Sequence, residues 1–284
     1  MSRIAVSIVT YHSPLVELGH CLDCLRREPD GTISSIDVID NAGEETDGKL
    51  GEWLSENYPE VKYTASRNVG YGRAHNQSIR RTLSDKEGAE YHLVTNCDIS
   101  FETGMLRRMA DYMDEHPDVG LTTPKIYYPD GTPQASSHPL PSPMDLLGRR
   151  IIPRRLRVAG WLNYDPNLSG IEEPVNVPCV YGCFMLMRSD ALRQTGLFDE
   201  RYFLYLEDVD LSRRIHEEWR TEVLPQEQMT HIHHAASRRN LRQLWIHVGS
   251  MVKYYSKWGW LIDRRRHKAN RDFSNQLKRL TRKD

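Results

Sequence analysis

Short apolar runs alternate with segments of helical period through the first half of the chain. Ile4–Thr10 (IAVSIVT) has the apolar character of a buried strand, and after Pro14 the residues Leu15, Leu18, Leu22 and Leu25 recur at helical steps. SSIDVID alternates into Asp40, NAGEETDG forms a polar turn, and a short helix is predicted around Leu50 and Leu54. VKYTAS reads as a third strand and YHLVTN (91–96) as a fourth, with a helix between them. FETGMLRRMADYMDEH predicts another helix, beginning near Phe101 and ended near Pro117, and VGLTTP a fifth strand. Strands alternating with helices imply a mostly parallel sheet covered on both faces. Such sheets present ligand groups beyond the carboxyl ends of their strands. That places Thr10, Tyr11 and His12, Asp40 and Asn41, Arg67 and Asn68, and Asn96, Cys97 and Asp98 at the predicted ligand edge.

The pattern breaks over 127–174, where Pro and Gly cluster (PDGTPQ, HPLPSP) and basic pairs stand at Arg149-Arg150 and Arg154-Arg155. With no sustained period, this is predicted to be an irregular insertion over the sheet. VNVPCVYGCFMLM resumes as a buried strand, and EDVDLSRRIHEEW predicts a helix opening on carboxylates, where its dipole favours them. Farther on, Leu241, Leu244, Trp245, Val248, Met251, Val252 and Tyr255 fall at three- and four-residue steps and predict one apolar helical face, followed by Trp258, Trp260 and RRRHK.

At 284 residues and 39% hydrophobic content the chain can bury a real core, which excludes disorder as a description of the whole. No run approaches the roughly 18 apolar residues of a spanning helix. The opening MSRIAVSIVTYHSP lacks the long apolar region and cleavage site of a secretory signal, which predicts a cytoplasmic protein. The near-neutral total hides an asymmetry. Residues 238–284 carry 14 Lys+Arg against 3 Asp+Glu, leaving 24 against 36 for the rest. An acidic body with a basic tail suits cation handling in the body and an anionic partner, nucleic acid or membrane, at the tail. Cys21 and Cys24 stand CxxC-fashion, with Cys179 and Cys183 much later. Their spacing allows a zinc site, but they fall in apolar helix and strand patterns, where thiols act as small hydrophobes in a reducing compartment.

Four motifs carry candidate chemistry. In NVGYGRAHN (68–76), Gly70 and Gly72 after a strand suit close approach of backbone to a phosphate, and equally suit a plain tight turn. In TNCD, Asp98 lies just past the fourth strand. There it could cap the next helix, as could Ser100, or hold Mg²⁺ or Mn²⁺ on a diphosphate, which needs only one or two protein carboxylates. YLEDVDL crowds Glu207, Asp208 and Asp210 into four residues, an acidic first turn or a site where neighbouring carboxylates raise one another's proton affinity. THIHHAASRR puts His231, His233 and His234 at a strand end, a chance polar cluster or a source of imidazole ligands.

In this order, IVTYHS, DNAG, NVGYGRAHN, TNCD, YGCFMLMRSDALRQTGLFDERYFLYLEDVDLSRRI and HIHHAAS resemble the family-2 glycosyltransferases of bacterial surface-polysaccharide synthesis, and most of all their rhamnosyltransferase-like branch. The similarity spans about residues 4–257. It implies an α/β GT-A fold: a catalytic domain over 1–237, divided into a nucleotide-sugar half (1–123) and an acceptor half (124–237), with 238–284 as a basic amphipathic helical extension. The family pattern places Thr10, Tyr11, Asp40, Asn41, Arg67, Asn68, Gly70, Gly72, Asn76 and Asn96 at the nucleotide sugar. Asp98 and His233 would bind a divalent metal, with His231 as the alternative and Arg238 near the phosphates. Asn96 stands where the family's DxD-type motif has its first Asp. Asp208 would be the catalytic base of an inverting transfer, with Glu207 and Asp210 orienting helix and acceptor.

The resemblance further implies a nucleotide-sugar donor, dTDP-L-rhamnose from the branch or a UDP-hexose by the same chemistry, and a lipid-linked glycan acceptor at the inner face of the cell membrane. The basic tail would meet the membrane surface, with its 241–255 helix packed on the core and RRRHK and KRLTRK left free. The same expectations include a homo-oligomer and no nucleic-acid partner, since nucleic-acid binding leaves the acidic motifs without a role. A sugar nucleotidylyltransferase would need a Gly-rich basic loop near the start, which IVTYHSP does not supply.

Overall fold

The computed structural model describes residues 4–43, 45, 48–85, 88–146, 168, 170–232 and 241–281. Its ten strands form one sheet: β1 (Ile4–Thr10), β2 (Ile33–Asp40), β3 (Lys62–Ala65), β4 (Tyr91–Thr95), β5 (Ile99–Phe101), β6 (Val119–Tyr127), β7 (Pro133–Gln134), β8 (Val175–Asn176), β9 (Phe184–Arg188) and β10 (Arg220–His231). The spatial order is β3-β2-β1-β4-β9-β6-β10-β5, with β7 beside β6 and β8 beside β10. β3, β2, β1 and β4 are parallel, β9 runs against both β4 and β6, and β10 lies parallel to β6. Six strands therefore point one way, and Thr10, Asp40, Thr95, Tyr127 and His231 end at a common edge. Because β9 is reversed, the Gly182-Cys183 turn that precedes it opens at that edge too.

The helices are α1 (Leu15–Arg26), α2 (Lys49–Asn57), α3 (Tyr71–Ser84), α4 (Met105–Glu115), α5 (Ser189–Thr195), α6 (Glu207–Glu218), α7 (Leu241–Trp258) and α8 (Arg264–Leu280). One apolar cluster joins β1, α1 and α4, including Val6, Leu22 and Met109. A second, including Val94, Met187 and Leu211, lies among β4, β9, α5 and α6. Several polar residues in this core are matched, although His75 Nε2 has no hydrogen-bond partner among the described residues. Ser7, fully buried in β1, lies 2.7 Å from His75 Nδ1 and 2.9 Å from His92 Nε2, and His92 Nδ1 lies 3.0 Å from Thr82 Oγ1. Burial lowers the proton affinity of both imidazoles, so the network is held neutral.

The structure departs from the sequence-based reading in four places. First, 99–101 is the strand β5 rather than the start of a helix. Helix α4 begins at Met105 after a left-handed Gly104, and Glu28 accepts from Gly104 N (2.8 Å) and Arg107 N (3.2 Å). Neither Asp98 nor Ser100 caps it. Second, the run VNVPCVYGCFMLM is broken into β8 and β9, with Pro178 and Gly182 in the connection. Third, α7 buries Ser250, Met251, Tyr254 and Tyr255, while Trp245 and Val252 are exposed, so its apolar positions form two faces rather than one. Fourth, RRRHK is not free: it opens α8, where Asp263 caps Arg266 N at 2.9 Å and Arg266 is buried. Within the expected insertion, 147–167 and 169 lie outside the described residues, as do Arg149, Arg150, Arg154 and Arg155.

The C-terminal helices belong to the body. Met251, Tyr254 and Tyr255 of α7 share a core with Leu140, Cys179, Tyr202 and Leu206. Arg213 of α6, 1% exposed, makes a bidentate pair with Asp263 (2.7 and 2.8 Å), and its guanidinium lies 3.9 Å from the Trp258 ring centroid.

Candidate active site

The ligand edge is built first by β5. It pairs antiparallel with the end of β10, Ile99 opposite His231, and Ile232 N donates to Asp98 O at 3.0 Å. This register brings the Asp98 carboxylate 3.3 Å from His231 Nε2. Asp98 is largely buried, and His231 is 4% exposed. Gln134 Oε1 of β7 lies 3.2 Å from the other imidazole nitrogen, and Asn96 Nδ2 lies 3.4 Å from Nε2. Burial alone would lower the His231 pKa, but hydrogen bonding and charge at Asp98 and Cys183 outweigh it and raise the pKa to about 10. The structure thus brings His231, the alternative of the expected pair, to Asp98. His233, His234 and Arg238 lie outside the described residues.

Asn96 leads on to the acidic pair. Tyr71 OH, 3.2 Å from Asn96 Oδ1, donates to Gly182 O at 2.7 Å, and Gly182 N donates to Asp208 Oδ2 at 2.9 Å. Burial, then the charges of Cys183, Glu207, Asp208 and Asp98, raise the Tyr71 pKa well above its ordinary value and keep the phenol neutral. Positions 98, 231 and 208, far apart in sequence, are therefore joined through Asn96, Tyr71 and Gly182. A Cβ at Gly182 would stand 3.2 Å from Asp208 Cβ, tighter than ordinary contact.

The acidic turn itself divides by function. Asp208, half-buried, accepts from Gly182 N and Val209 N (2.8 Å), and burial still raises its pKa. Glu207 is 4% exposed and its Oε2 has no hydrogen-bond partner among the described residues. Burial and the charge of Asp208 push its pKa up to about 8. Asp210, expected to orient helix and acceptor, is fully buried and held by Arg214 Nε (2.9 Å), Lys257 Nζ (2.8 Å) and Trp258 Nε1 (2.8 Å). Its oxygens are taken up in fastening α6 to α7, which orients the helix and leaves them turned away from an acceptor. Immediately before α6, Tyr205 and Leu206 both take left-handed conformations (φ 70° and 69°), a strained approach of the kind that accumulates at functional sites.

On the nucleotide side, Thr10 and Asp40 are buried side by side at 3.5 Å, and Asp40 also accepts from Ala42 N (2.9 Å) and Tyr63 OH (3.2 Å). Asn41 donates to Gly70 O at 3.2 Å and keeps a buried Oδ1 with no partner among the described residues. Asn68 Oδ1 accepts from Gly70 N at 3.2 Å; Tyr11 and Arg67 are exposed. Gly70 (φ 92°) must be glycine, since a Cβ would lie 2.3 Å from Phe203 O. Gly72 and Asn76, expected at the nucleotide sugar, have other work. Gly72 lets α3 approach Phe198, where a Cβ would lie 2.8 Å from the Phe198 Cβ. Asn76, fully buried, exchanges hydrogen bonds with the Phe198 backbone (2.9 and 3.1 Å) and reaches Glu200 (3.1 Å). Both secure the 197–203 segment that leads to the acidic turn.

Sequence reasoning did not single out Tyr71, Gly182 or Gln134. Tyr71 lay inside a quoted motif, and Gly182 interrupts an apolar run, as Pro178 does. Gln134, in the irregular stretch, gave no signal. For a metal, Asp98 and His231 offer a carboxylate and, once the imidazole gives up its proton to the solvent, a ring nitrogen, a donor set that fits Mg²⁺ or Mn²⁺. Among the described residues no group of three His, Cys, Asp or Glu side chains could enclose an ion, so phosphate oxygens and water would have to complete a shell.

Comparison with known proteins agrees with this architecture. The model of the family described as Glycosyl transferase family 2 matches residues 5–196. The chain is 30% identical over 241 residues to an N-acetylglucosaminyl-diphospho-decaprenol L-rhamnosyltransferase of Mycobacterium tuberculosis, covering 80% of this chain and 75% of that one. It is 26% identical over 188 residues to the low-salt glycan biosynthesis hexosyltransferase Agl10 of Haloferax volcanii, covering 66% and 54%. Among solved structures, GalNAc-T7 with UDP, GalNAc and Mn²⁺ superposes with a TM-score of 0.65 at 15% identity, over 89% of this chain and 47% of that one. TarS 1–349 of S. aureus superposes at 0.53 and 16% identity, over 81% and 60%. At such identities the two structures support the GT-A fold alone. The chain thus spans about three quarters of its mycobacterial relative and roughly half to three fifths of the others.

Proposed function

The chain belongs to glycosyl transferase family 2, and from that premise we propose that it moves L-rhamnose from dTDP-L-rhamnose onto a hydroxyl of a lipid-linked glycan, with inversion, at the cytoplasmic face of the membrane. The observation that carries this reading is the hydrogen-bonded path from Asp98 and His231 through Asn96, Tyr71 and Gly182 to Asp208. It supports a leaving diphosphate beside Asp98 and His231 and a proton acceptor at Asp208, both along one sheet edge. The rhamnosyl donor and lipid-diphosphate acceptor are carried over from the mycobacterial relative.

In this mechanism Asn41 Oδ1 and the Thr10–Asp40 pair border the nucleotide, and the exposed Tyr11 and Arg67 flank it. Asp208 takes the proton of the acceptor hydroxyl as that oxygen attacks the anomeric carbon from the face opposite the diphosphate, and the sugar–phosphate bond breaks. The raised proton affinity of Asp208 favours this role, while two backbone N–H groups fix its orientation. Burial and the charge of Asp208 raise the Glu207 pKa to about 8, which favours a protonated Glu207 beside Asp208. Asp98 and His231 would hold Mg²⁺ or Mn²⁺, which supplies charge neutralisation to the departing diphosphate. His233 and Arg238 are the further candidates of the expected set for the metal and phosphates.

The test is a panel of nucleotide sugars scored for thermal stabilisation and hydrolysis with and without Mg²⁺ or Mn²⁺. A response confined to dTDP-L-rhamnose supports the proposal, and no response to any nucleotide sugar would overturn it. A second reading, a UDP-hexose donor, is favoured by the hexosyltransferase relative from Haloferax volcanii, and a UDP-hexose response in the same panel would select it.

A further inference from the structure

We propose that the outer face of α7 and the turn at 259–263 form a docking surface for an anionic lipid bilayer, with Leu261 and Ile262 as the inserting tip. The inference deepens the lipid-linked acceptor reading and rests on it for its purpose.

Leu261 and Ile262 are 86% and 82% exposed, consecutive in a five-residue turn between two helices, and Trp260 beside them is 43% exposed. Trp245 (73%) and Val252 (48%) are seven residues apart on α7 and so share one face, which extends the apolar strip away from the tip. Single exposed apolar residues are ordinary, but five on one helix and its following turn form a patch that water does not favour. The only carboxylate of the turn, Asp263, is withdrawn into the core against Arg213. Exposed cations follow directly: Arg264, then Arg265 and Lys268, the last two in exposed pairs with Glu217 and Asp272. Over 241–280 the chain carries 10 Lys+Arg against 2 Asp+Glu.

Charge selects the occupant. A second copy docking through this face would set the exposed Arg264, Arg265 and Lys268 against their own counterparts, whereas an anionic headgroup layer complements them, and an exposed tip of Leu261 and Ile262 beside the half-exposed Trp260 suits the boundary between headgroups and acyl chains. No described helix is long and apolar enough to cross a membrane, so the contact is a peripheral one.

The surface lies one helix away from the proposed base. The inner side of α7 grips the segment that leads to Asp208: Ser250 Oγ donates to Leu204 O at 2.8 Å, His247 packs edge-on against Tyr205 at 5.3 Å, and Lys257 and Trp258 hold Asp210. Docking would therefore set the acidic turn at a fixed orientation to the bilayer from which a lipid-linked hydroxyl is presented.

The experiment uses the full chain with vesicles of phosphatidylcholine alone or mixed with phosphatidylglycerol. The five native cysteines are all buried, so Leu261→Cys can be labelled selectively with an environment-sensitive fluorophore. Expected results are pelleting with the phosphatidylglycerol vesicles only, a blue shift of the label, and a loss of about tenfold or more in vesicle affinity for Leu261→Ser/Ile262→Ser. Hydrolysis of donor in vesicle-free buffer should be unchanged in that double variant. Absence of vesicle binding, equal binding by the double variant, or a concentration-dependent dimer that the double variant dissociates would each overturn the proposal. Vesicle binding without turnover of any nucleotide sugar would sink the proposed function and leave the docking surface standing. Turnover without vesicle binding would do the reverse.

Discussion

Replacing Asp208 by Asn tests the base assignment, and the structure sets what else the change must do. Each carboxylate oxygen accepts a backbone N–H, from Gly182 at 2.9 Å and Val209 at 2.8 Å. Asparagine offers one acceptor, so its amide NH₂ must face one of these donors, at a cost of about 1–3 kcal/mol. Removing the Asp208 charge also relieves Glu207, whose raised pKa has that charge as its second cause after burial. The two effects oppose each other, so the expected loss of stability is no more than about 2 kcal/mol, a modest fall in Tm. Transfer should respond quite differently. Loss of a general base removes about 10²–10⁴ in rate, or about 2.7–5.5 kcal/mol of transition-state stabilisation. The assay is kcat for transfer to acceptor beside donor affinity by calorimetry, both on protein shown to be folded by its melting curve. Donor affinity within a few-fold of wild type with kcat down at least a hundredfold is the expected pattern. A kcat within tenfold of wild type would refute the assignment, and the same collapse in Glu207→Gln with Asp208→Asn active would transfer it to Glu207.

Glu207→Gln should flatten the dependence of stability on pH. The folded pKa of Glu207 stands above its ordinary 4.5, so its carboxyl costs nothing below that value; the penalty grows as pH rises to about 8 and is complete above it. The variant should gain on wild type through that window, bounded by about 5 kcal/mol, and equal pH–stability curves by chemical denaturation would contradict this. Gly182→Ala should lower kcat by about tenfold with little change in Tm, because the new Cβ moves Asp208 by a few tenths of an ångström while the rest of the core is untouched. An unchanged kcat would show that Asp208 tolerates displacement. Asp263→Ala should destabilise by about 3 kcal/mol, since it leaves the buried Arg213 guanidinium with Glu217, 3.5 Å away, as its remaining carboxylate; a loss under about 1 kcal/mol would show that Glu217 or water takes over from Asp263.

The ligand edge was legible because a parallel sheet puts its chemistry after each strand, and Thr10, Asp40 and Asp98 all follow apolar runs. The choice between His231 and His233 was not legible. The two differ by one strand period and so share parity, and the approach of His231 to Asp98 follows from its pairing with Ile99. That pairing depends on β5, whose three residues merge in sequence with the helix after it. The division within Glu207, Asp208 and Asp210 could have been read from helix geometry, since residues two apart do not share a face. Asp210 accordingly turns to Lys257 and Trp258, whose arrival from 47 and 48 residues away no local pattern announces. In α7, two apolar stripes overlap at three- and four-residue steps, and periodicity alone cannot tell the buried one at Met251 and Tyr255 from the exposed one at Trp245 and Val252.

The C-terminal helices and the acidic turn form one mechanical unit. Two consecutive left-handed residues, Tyr205 and Leu206, cost on the order of 1–3 kcal/mol each, and such a conformation persists only where its surroundings over-determine it. Here the surroundings are identifiable. Leu206 is buried with Met251 and Tyr254, Ser250 holds the carbonyl of Leu204, and one turn later Asp210 and Arg213 are fastened to Lys257, Trp258 and Asp263. From the other side, Asn76 and the close approach of Gly70 to Phe203 pin the segment onto α3, the helix that also carries Tyr71. Asp208 is thus aimed by contacts from both ends of the chain. Because α7 and Asp263 connect this turn to the exposed Trp245, Val252 and 260–262, a force applied at that surface reaches the acidic turn through packed side chains and not through a flexible linker.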